Sequence, residues 1–209
     1  MQFRQLDMHT VSIPELNRLL LNTSFWGSIN AKRALLFQTD SLLVRGNIEQ
    51  FLQYDYVGAP WHIENERWQS RRQDMPQGVG NGGLSLRSVA AMRELAGRLG
   101  PTANGSQQED MLYAEELELK KQYRLAPRAE AYRFCIEVPC GDLENRTQST
   151  GECSPLTTLP AVPTALHATW YYFSQPRDRF QDLLRMLEIS VCGDVQQACQ
   201  QQRSRSSSK

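Results

Sequence analysis

Hydrophobic and polar positions alternate along the chain with two different periods, one typical of helices and one typical of strands. Residues 14–21 (PELNRLLL) start with a proline suited to the first turn of a helix and place leucines three and four positions apart. This pattern predicts a helix that extends to Trp26. The apolar run RALLF at residues 33–37 instead predicts a strand that is buried on both faces.

Helix and strand signals continue in the next part of the chain. Residues 47–53 (NIEQFLQ) predict a short helix capped by Asn47, and residues 54–61 (YDYVGAPW) predict a second strand. The polar, aperiodic stretch at residues 62–78 predicts a long surface loop. Loops of that length in a compact domain are often functional.

A glycine-rich stretch precedes the next strand. Four glycines in residues 78–83 predict a tight loop that leads into a strand with alternating leucines. Ser88 then caps a predicted helix over residues 89–99, which a Gly-Pro pair ends.

The remaining elements alternate in the same way. They are a helix over residues 108–122, a strand over 132–138, a loop over 139–163, an ordered segment over 166–173 and an amphipathic helix over 177–188. Strands that alternate with helices predict an open α/β sheet that is mostly parallel. We expect one domain over residues 1–190 and a low-complexity, disordered tail over residues 191–209.

Composition excludes several classes of function. The 209 residues are 40% hydrophobic and 22% charged, and Lys plus Arg balance Asp plus Glu at 23 each. This is the composition of a globular protein without the basic excess that draws a chain onto nucleic acid. The sequence contains no apolar run long enough to span a membrane and no recognisable signal peptide.

The compartment is left open by the sequence. Five cysteines and three N-glycosylation sequons would suit the lumen of the secretory pathway. We therefore expect that lumen (endoplasmic reticulum or Golgi) if an upstream signal or anchor is missing, and the cytoplasm otherwise.

A carboxylate interrupts the apolar pattern directly after the first strand. Asp40 follows Gln38 and Thr39 between two apolar runs. A cap for the following turn is the simplest explanation. The alternative is a ligand for a hard divalent cation, since carboxylate, amide and hydroxyl oxygens are the groups that such a cation prefers.

Other polar groups farther along the chain also have two interpretations. The glycines around Asn81 form either a tight turn or a backbone surface that a ligand approaches closely. Glu109 and Asp110 begin a predicted helix, where they stabilise the helix dipole or act as a general base if they face a cleft. His167 is either a packed residue or a ligand. Trp170 is either a packed residue or a platform for a sugar ring.

Five blocks of the sequence, taken in order, resemble an uncharacterised domain family. They are FWGSINAKRALLFQTDSLL, YDYVGAPW, GNGGLSLRS, QEDMLYAEEL and LHATWYYF, and the match runs from about Leu16 to Phe173. The family is regarded as glycosyltransferase-like and is similar to galactosyltransferases of the GT-A fold. The order of the blocks, not any single one, carries the resemblance.

The resemblance implies a fold and a reaction. The fold is a GT-A-like three-layer α/β/α sandwich with a mostly parallel central sheet. The reaction is transfer of a hexose from a nucleotide-diphosphate donor of the UDP-sugar type to a hydroxyl of a glycan or protein acceptor. Mn²⁺ or Mg²⁺ would be held against the donor diphosphate by Asp40, with Gln38 and Thr39 beside it and His167 completing the metal shell.

The resemblance also implies roles for the remaining candidate residues. The catalytic base would be Asp110 or Glu109, as in inverting members of the GT-A class. The substrate-binding residues that we infer are Gly80, Asn81, Gly82, Gly83, Trp61 and Trp170.

Two departures from the GT-A pattern leave other functions open. Gln38 stands where the usual acidic motif has its first carboxylate, so metal binding is weakened or needs a further ligand. The first nucleotide-binding strand is not recognisable before Leu16. A catalytically degenerate domain that binds glycans or proteins is therefore the main alternative, and a glycosidase that uses Asp40 and Asp110 is a weaker one.

Overall fold

A computed structural model describes residues 12–61, 74–103, 106–137 and 163–168. All of these residues belong to one compact unit. The predicted helix over residues 177–188, the tail over residues 191–209 and most of the two predicted long loops lie outside the described residues.

Helices and strands alternate along the described chain. The helices are α1 (Ile13–Leu20), α2 (Thr23–Gly27), α3 (Val89–Leu99), α4 (Glu109–Lys120) and α5 (Arg128–Phe134), with a short 3-10 helix at Ile48–Phe51. The strands are β1 (Arg33–Phe37), β2 (Ser41–Leu43), β3 (Tyr56–Pro60), β4 (Val79–Ser88), β5 (Cys135–Ile136) and β6 (Ala165–His167). No helix in these ranges is both long and apolar enough to cross a membrane.

The strands form two small sheets. One has the order β1-β4-β3 with both pairs antiparallel, and the other has the order β2-β6-β5 with one antiparallel and one parallel pair. The α/β class is thus confirmed, but a mostly parallel sheet is not found in the described residues. β4 is the central strand of the first sheet and runs antiparallel to both of its neighbours.

Several predicted elements have different bounds in the structure. The predicted helix over residues 14–26 is divided at Asn22, whose side chain accepts a hydrogen bond from the Ser24 amide and starts α2. Three of the four glycines expected in a loop, Gly80, Gly82 and Gly83, instead belong to the first half of β4. Asn47 does not cap the 3-10 helix with its side chain, which accepts a hydrogen bond from the Thr164 hydroxyl.

The predicted strand over residues 132–138 is helical in its first three residues. α5 continues to Phe134, and in the described part of this segment Cys135 and Ile136 form a strand. Periodicity over so short an apolar run does not separate a strand from a buried helical segment. β1 matches its predicted bounds but is only partly buried, because it lies at the edge of its sheet among the described strands.

Helical elements pack against both faces of the antiparallel sheet. Leu84 and Leu86 of β4 contact a core that contains Phe51 and Phe134. The opposite face carries Tyr56, which packs with the apolar side chains of α3 and α4. Alternation along the strands therefore sends polar Ser85 and Arg87 of β4 toward α4, and this positions the candidate site.

Candidate functional site

Backbone pairing brings Asp40 and His167 together from distant parts of the chain. Ser41 of β2 is the register partner of His167 in β6, and the Ala168 amide donates to the Asp40 carbonyl at 2.9 Å. Ala168 has a φ of 49°, in the left-handed region that non-glycine residues rarely adopt. This conformation comes directly after His167, at the end of β6.

The imidazole ring of His167 is buried and faces two sets of oxygen atoms. Nε2 lies 3.2 Å from Gln38 Oε1 and 3.4 Å from Asp40 Oδ1. Nδ1, on the other side of the ring, lies 3.7 Å from Glu137 Oε1. Gln38, Asp40 and His167 therefore meet at one ring nitrogen, and Glu137 approaches the other.

Gly83 makes room for this ring. A Cβ atom at Gly83 would lie 2.0 Å from both Cε1 and Nε2 of His167, which no side chain tolerates. The carbonyl of Gly83 accepts hydrogen bonds from the backbone N–H of Gln38 at 2.8 Å and from the Ser41 hydroxyl at 3.2 Å. A glycine is needed at this position because the His167 side chain approaches its backbone closely. The sequence instead indicated a tight turn or a surface for a bound ligand.

Asn81 connects the glycine-rich strand to Glu137. Its Nδ2 donates to Glu137 Oε2 at 2.6 Å, and its Oδ1 accepts from the Gly83 amide at 3.0 Å. Glu137 was missed by sequence analysis. It directly follows β5, so the signal that could have found it is the one that identified Asp40, an acid at the end of a short apolar strand.

Asp110 lies at the first turn of α4, against the same strand. Oδ2 accepts from the Gly82 amide at 2.9 Å and Oδ1 from the Met111 amide at 2.8 Å. Desolvation, followed by the nearby Glu109 charge, raises the pKa of Asp110 to about 6, although the two amides oppose the shift. A carboxyl group that titrates near neutrality is suited to proton transfer.

Glu109, the other predicted base, is engaged in a buried ion pair. Its two carboxylate oxygens accept from the Arg87 guanidinium at 2.8 and 3.0 Å, and both side chains are almost inaccessible. The Arg87 guanidinium also lies 4.6 Å from the centre of the Tyr56 ring. This arrangement favours a structural role for Glu109 and leaves Asp110 as the better candidate base.

The acidic groups around His167 and β4 raise one another's pKa. Desolvation raises the pKa of Glu137 to about 7, with further contributions from Asp110 and Asp40. Burial lowers the pKa of His167, and Asp40 partly offsets this effect. The imidazole is therefore neutral at physiological pH, the form that binds metal ions.

The other predicted substrate-binding and cofactor-binding residues are more scattered. Trp61 packs against Met75 and Ala114 near Gly80, on the far side of the glycine-rich strand from the His167 ring. Thr39 is exposed in the turn between β1 and β2. Trp170 lies outside the described residues.

The donor set of Gln38, Asp40 and His167 is compatible with a divalent cation. Mg²⁺ holds its ligands at about 2.1 Å, so ligand atoms at right angles are about 3 Å apart. The distances around His167 Nε2 are close to this value, and the buried Asp40 Oδ1 accepts no hydrogen bond from the described residues. However, no three His, Cys, Asp or Glu side chains in the described ranges group together as a metal site.

Fold and site together define a mixed α/β domain with a cluster of carboxylate, amide and imidazole groups beside a glycine-rich strand. The chain belongs to the family described as "Protein of unknown function (DUF5672)", whose model matches residues 1–153. Neither the curated proteins nor the solved structures include a match to this chain.

Proposed function

We propose that this chain is a metal-dependent glycosyltransferase domain that uses Mn²⁺ or Mg²⁺ and a nucleotide-diphosphate sugar. The observation that carries the proposal is that the side-chain oxygens of Gln38 and Asp40 lie beside Nε2 of His167. His167 is at least 127 residues from both of them in the sequence. The order of the sequence blocks that resemble GT-A enzymes supports the sugar-transfer chemistry. The GT-A-like sandwich remains part of this proposal.

The proposed roles follow from the side chains. Asp40, Gln38 and His167 would hold the cation, which supplies positive charge for the departing diphosphate. Asp110 would accept the proton of the acceptor hydroxyl, since each of its oxygens keeps a lone pair beyond the backbone hydrogen bonds. Glu137 and Asp110 add negative charge that a bound cation would offset.

Calorimetric titration with Mn²⁺ and a panel of UDP-sugars tests this function. We expect Mn²⁺ binding that strengthens with a UDP-sugar, sugar release or transfer in its presence, and loss of both in Asp40→Ala with the fold intact by circular dichroism. Asp74→Ala removes a carboxylate from an exposed position outside the site and should leave binding unchanged. Absence of Mn²⁺ and nucleotide-sugar binding across the panel would contradict the proposal.

A binding module without catalytic activity is the second candidate function. It is favoured by the neutral Gln38 in the cation site and by neighbouring exposed apolar side chains, with Phe37 70% and Leu43 49% exposed. Such a module binds glycans or proteins without a metal. Glycan-array binding that survives EDTA would favour it, and binding abolished by EDTA would favour the transferase.

A further inference from the structure

We propose that Asn22 carries an N-linked glycan, and that the chain therefore passes through the lumen of the endoplasmic reticulum. The site is the sequon Asn22-Thr23-Ser24, one of three in the sequence. Of the three, it is the one whose residues all lie within the described ranges. The proposal does not depend on the cation site or on sugar-transfer activity.

The fold keeps this sequon on the surface, in the turn between α1 and α2. The backbone N–H of Asn22 donates to the Leu19 carbonyl at 3.0 Å, and its carbonyl accepts from the Trp26 amide at 3.4 Å. Trp26 is fully buried, so the core holds the turn in place. Asn22, Thr23 and Ser24 all remain exposed, as an attached glycan requires.

The Asn22 side chain uses only one of its two polar atoms in the fold. Oδ1 accepts from the backbone N–H of Ser24 at 2.7 Å and caps α2. Nδ2, the atom to which a glycan is attached, forms no hydrogen bond with the described residues. A glycan on Nδ2 therefore leaves the cap of α2 intact.

A cavity beside Asn22 provides room for the first sugar. Its volume is about 440 Å³, and Asn22 and Thr23 line it together with Arg18, Pro101 and Ala103. The Arg18 guanidinium can donate to sugar hydroxyls, and Pro101 and Ala103 offer apolar surface to the face of the ring. The surface next to the sequon thus suits a pyranose ring.

Attachment of the glycan forms one bond at Asn22 and breaks one bond in the donor. Nδ2 bonds to the anomeric carbon of an oligosaccharide that is linked through pyrophosphate to a polyprenyl lipid. The bond between that carbon and the pyrophosphate oxygen breaks, the lipid pyrophosphate leaves with the bonding electrons, and Nδ2 loses one proton. Because this transfer takes place in the lumen, a glycan at Asn22 also identifies the compartment of the chain.

Peptide mass mapping after treatment with peptide-N-glycosidase F tests the proposal. The full-length protein is produced from its own gene in eukaryotic cells, and the enzyme converts a glycosylated Asn22 into aspartate. Treatment in heavy-oxygen water separates this conversion from spontaneous deamidation. We expect the conversion at Asn22 in the native protein. An Asn22 that is unmodified in the native protein would overturn the proposal.

Variants of the sequon separate a glycan from a plain helix cap. Asn22→Asp keeps an oxygen for the Ser24 N–H but has no amide nitrogen, and Ser24→Ala removes the hydroxyl of the sequon but keeps that N–H. Both should lose the glycan and migrate faster in electrophoresis, with unchanged circular dichroism.

Two further variants are the controls. Ser24→Thr preserves the sequon, and Asn30→Asp changes an exposed asparagine outside any sequon, so both should keep the glycan at Asn22. Equal mobility of the native protein and Asn22→Asp, or conversion at Asn22 that persists in Ser24→Ala, would contradict the proposal.

Discussion

Two acidic regions lie on either side of the glycine-rich part of β4, and they differ in how their charge is balanced. In one, Glu109 is paired with the guanidinium of buried Arg87. In the other, Asp40 and Glu137 surround His167, whose pKa is lowered by burial so that it stays neutral. The negative charge of Glu109 is neutralised within the fold and stabilises it. The carboxylates of Asp40 and Glu137 have no such counter-charge among the contacts described above, so they are available to a cation.

The comparison is sharpest at two consecutive residues. Glu109 and Asp110 both begin α4, but Glu109 is directed to Arg87 and Asp110 to the Gly82 amide. A Cβ atom at Gly82 would lie within 3.0 Å of all three of these side chains. Gly82 thus leaves room for both carboxylates on the same side of the strand, one paired with a guanidinium and the other hydrogen-bonded to the Gly82 amide.

Breaking the buried ion pair between Arg87 and Glu109 should have the largest effect on stability. Glu109→Gln leaves the Arg87 guanidinium buried without its counter-charge, so the free energy of unfolding should fall by about 3–5 kcal/mol. Urea denaturation followed by circular dichroism measures this loss. Glu116→Gln, which breaks partly exposed ion pairs with Arg98 and Lys120, should cost no more than about 1 kcal/mol. Equal losses in the two variants would contradict the assignment.

On the Glu109 side of β4, Asp110 should make stability depend on pH. Its pKa is raised from 3.8 to about 6 in the folded protein, so the folded protein keeps a proton that the unfolded chain has lost. The free energy of unfolding should therefore fall as pH rises from about 4 to about 6, by up to about 3 kcal/mol. Below that window both states are protonated and this penalty is absent.

Asp110→Asn should remove this part of the pH dependence. Glu137 contributes with the same sign up to about pH 7, and His167 with the opposite sign below 6.5 because its pKa is lowered. The difference between the native protein and the variant gives the contribution of Asp110 together with its effect on the pKa of Glu137. Parallel stability curves for the two proteins between pH 4 and 7 would show that its pKa is not raised.

A smaller change should disturb the unbalanced region alone. Gly83→Ala places a methyl group 2.0 Å from the His167 ring, so the ring must move and stability should fall by about 1–3 kcal/mol. Mn²⁺ binding should be lost with it, as measured by calorimetry. Gly97→Ala is the matched control, because its Cβ would make an ordinary 3.5 Å contact with the Thr23 side chain of α2 and should stabilise α3 by about 0.5–1 kcal/mol. Unchanged Mn²⁺ binding in Gly83→Ala would argue against a cation at His167.

Local signals predicted the elements that depend on neighbouring residues. The Ser88 hydroxyl accepts from the Ala91 amide and begins α3, and β1 and α4 lie where the apolar patterns indicated. Asp40 and Asp110 were also visible as acids at the ends of predicted elements, and Asn81 was visible as a polar residue among glycines. In each case the information lies within a few residues of the chain.

Pairings between distant residues could not be predicted in the same way. The partner of Glu109 is 22 residues away in sequence, that of His167 is Gln38, 129 residues away, and Glu137 gains its neighbours only through Asn81 and β6. The single arginine of the LSLRS strand gave no sign that it would be buried. Strand direction likewise depends on the sheet partner, which is why an antiparallel sheet was missed.

The sequence by itself determined which residue types are present and where elements such as β1, α3 and α4 lie, because caps and periodicity are local properties of the backbone and its nearest side chains. Only the tertiary structure decided which carboxylate is neutralised and which is not. That choice depends on burial and on counter-charges brought from other elements, and it divides Glu109 from Asp110 although they are adjacent in the chain.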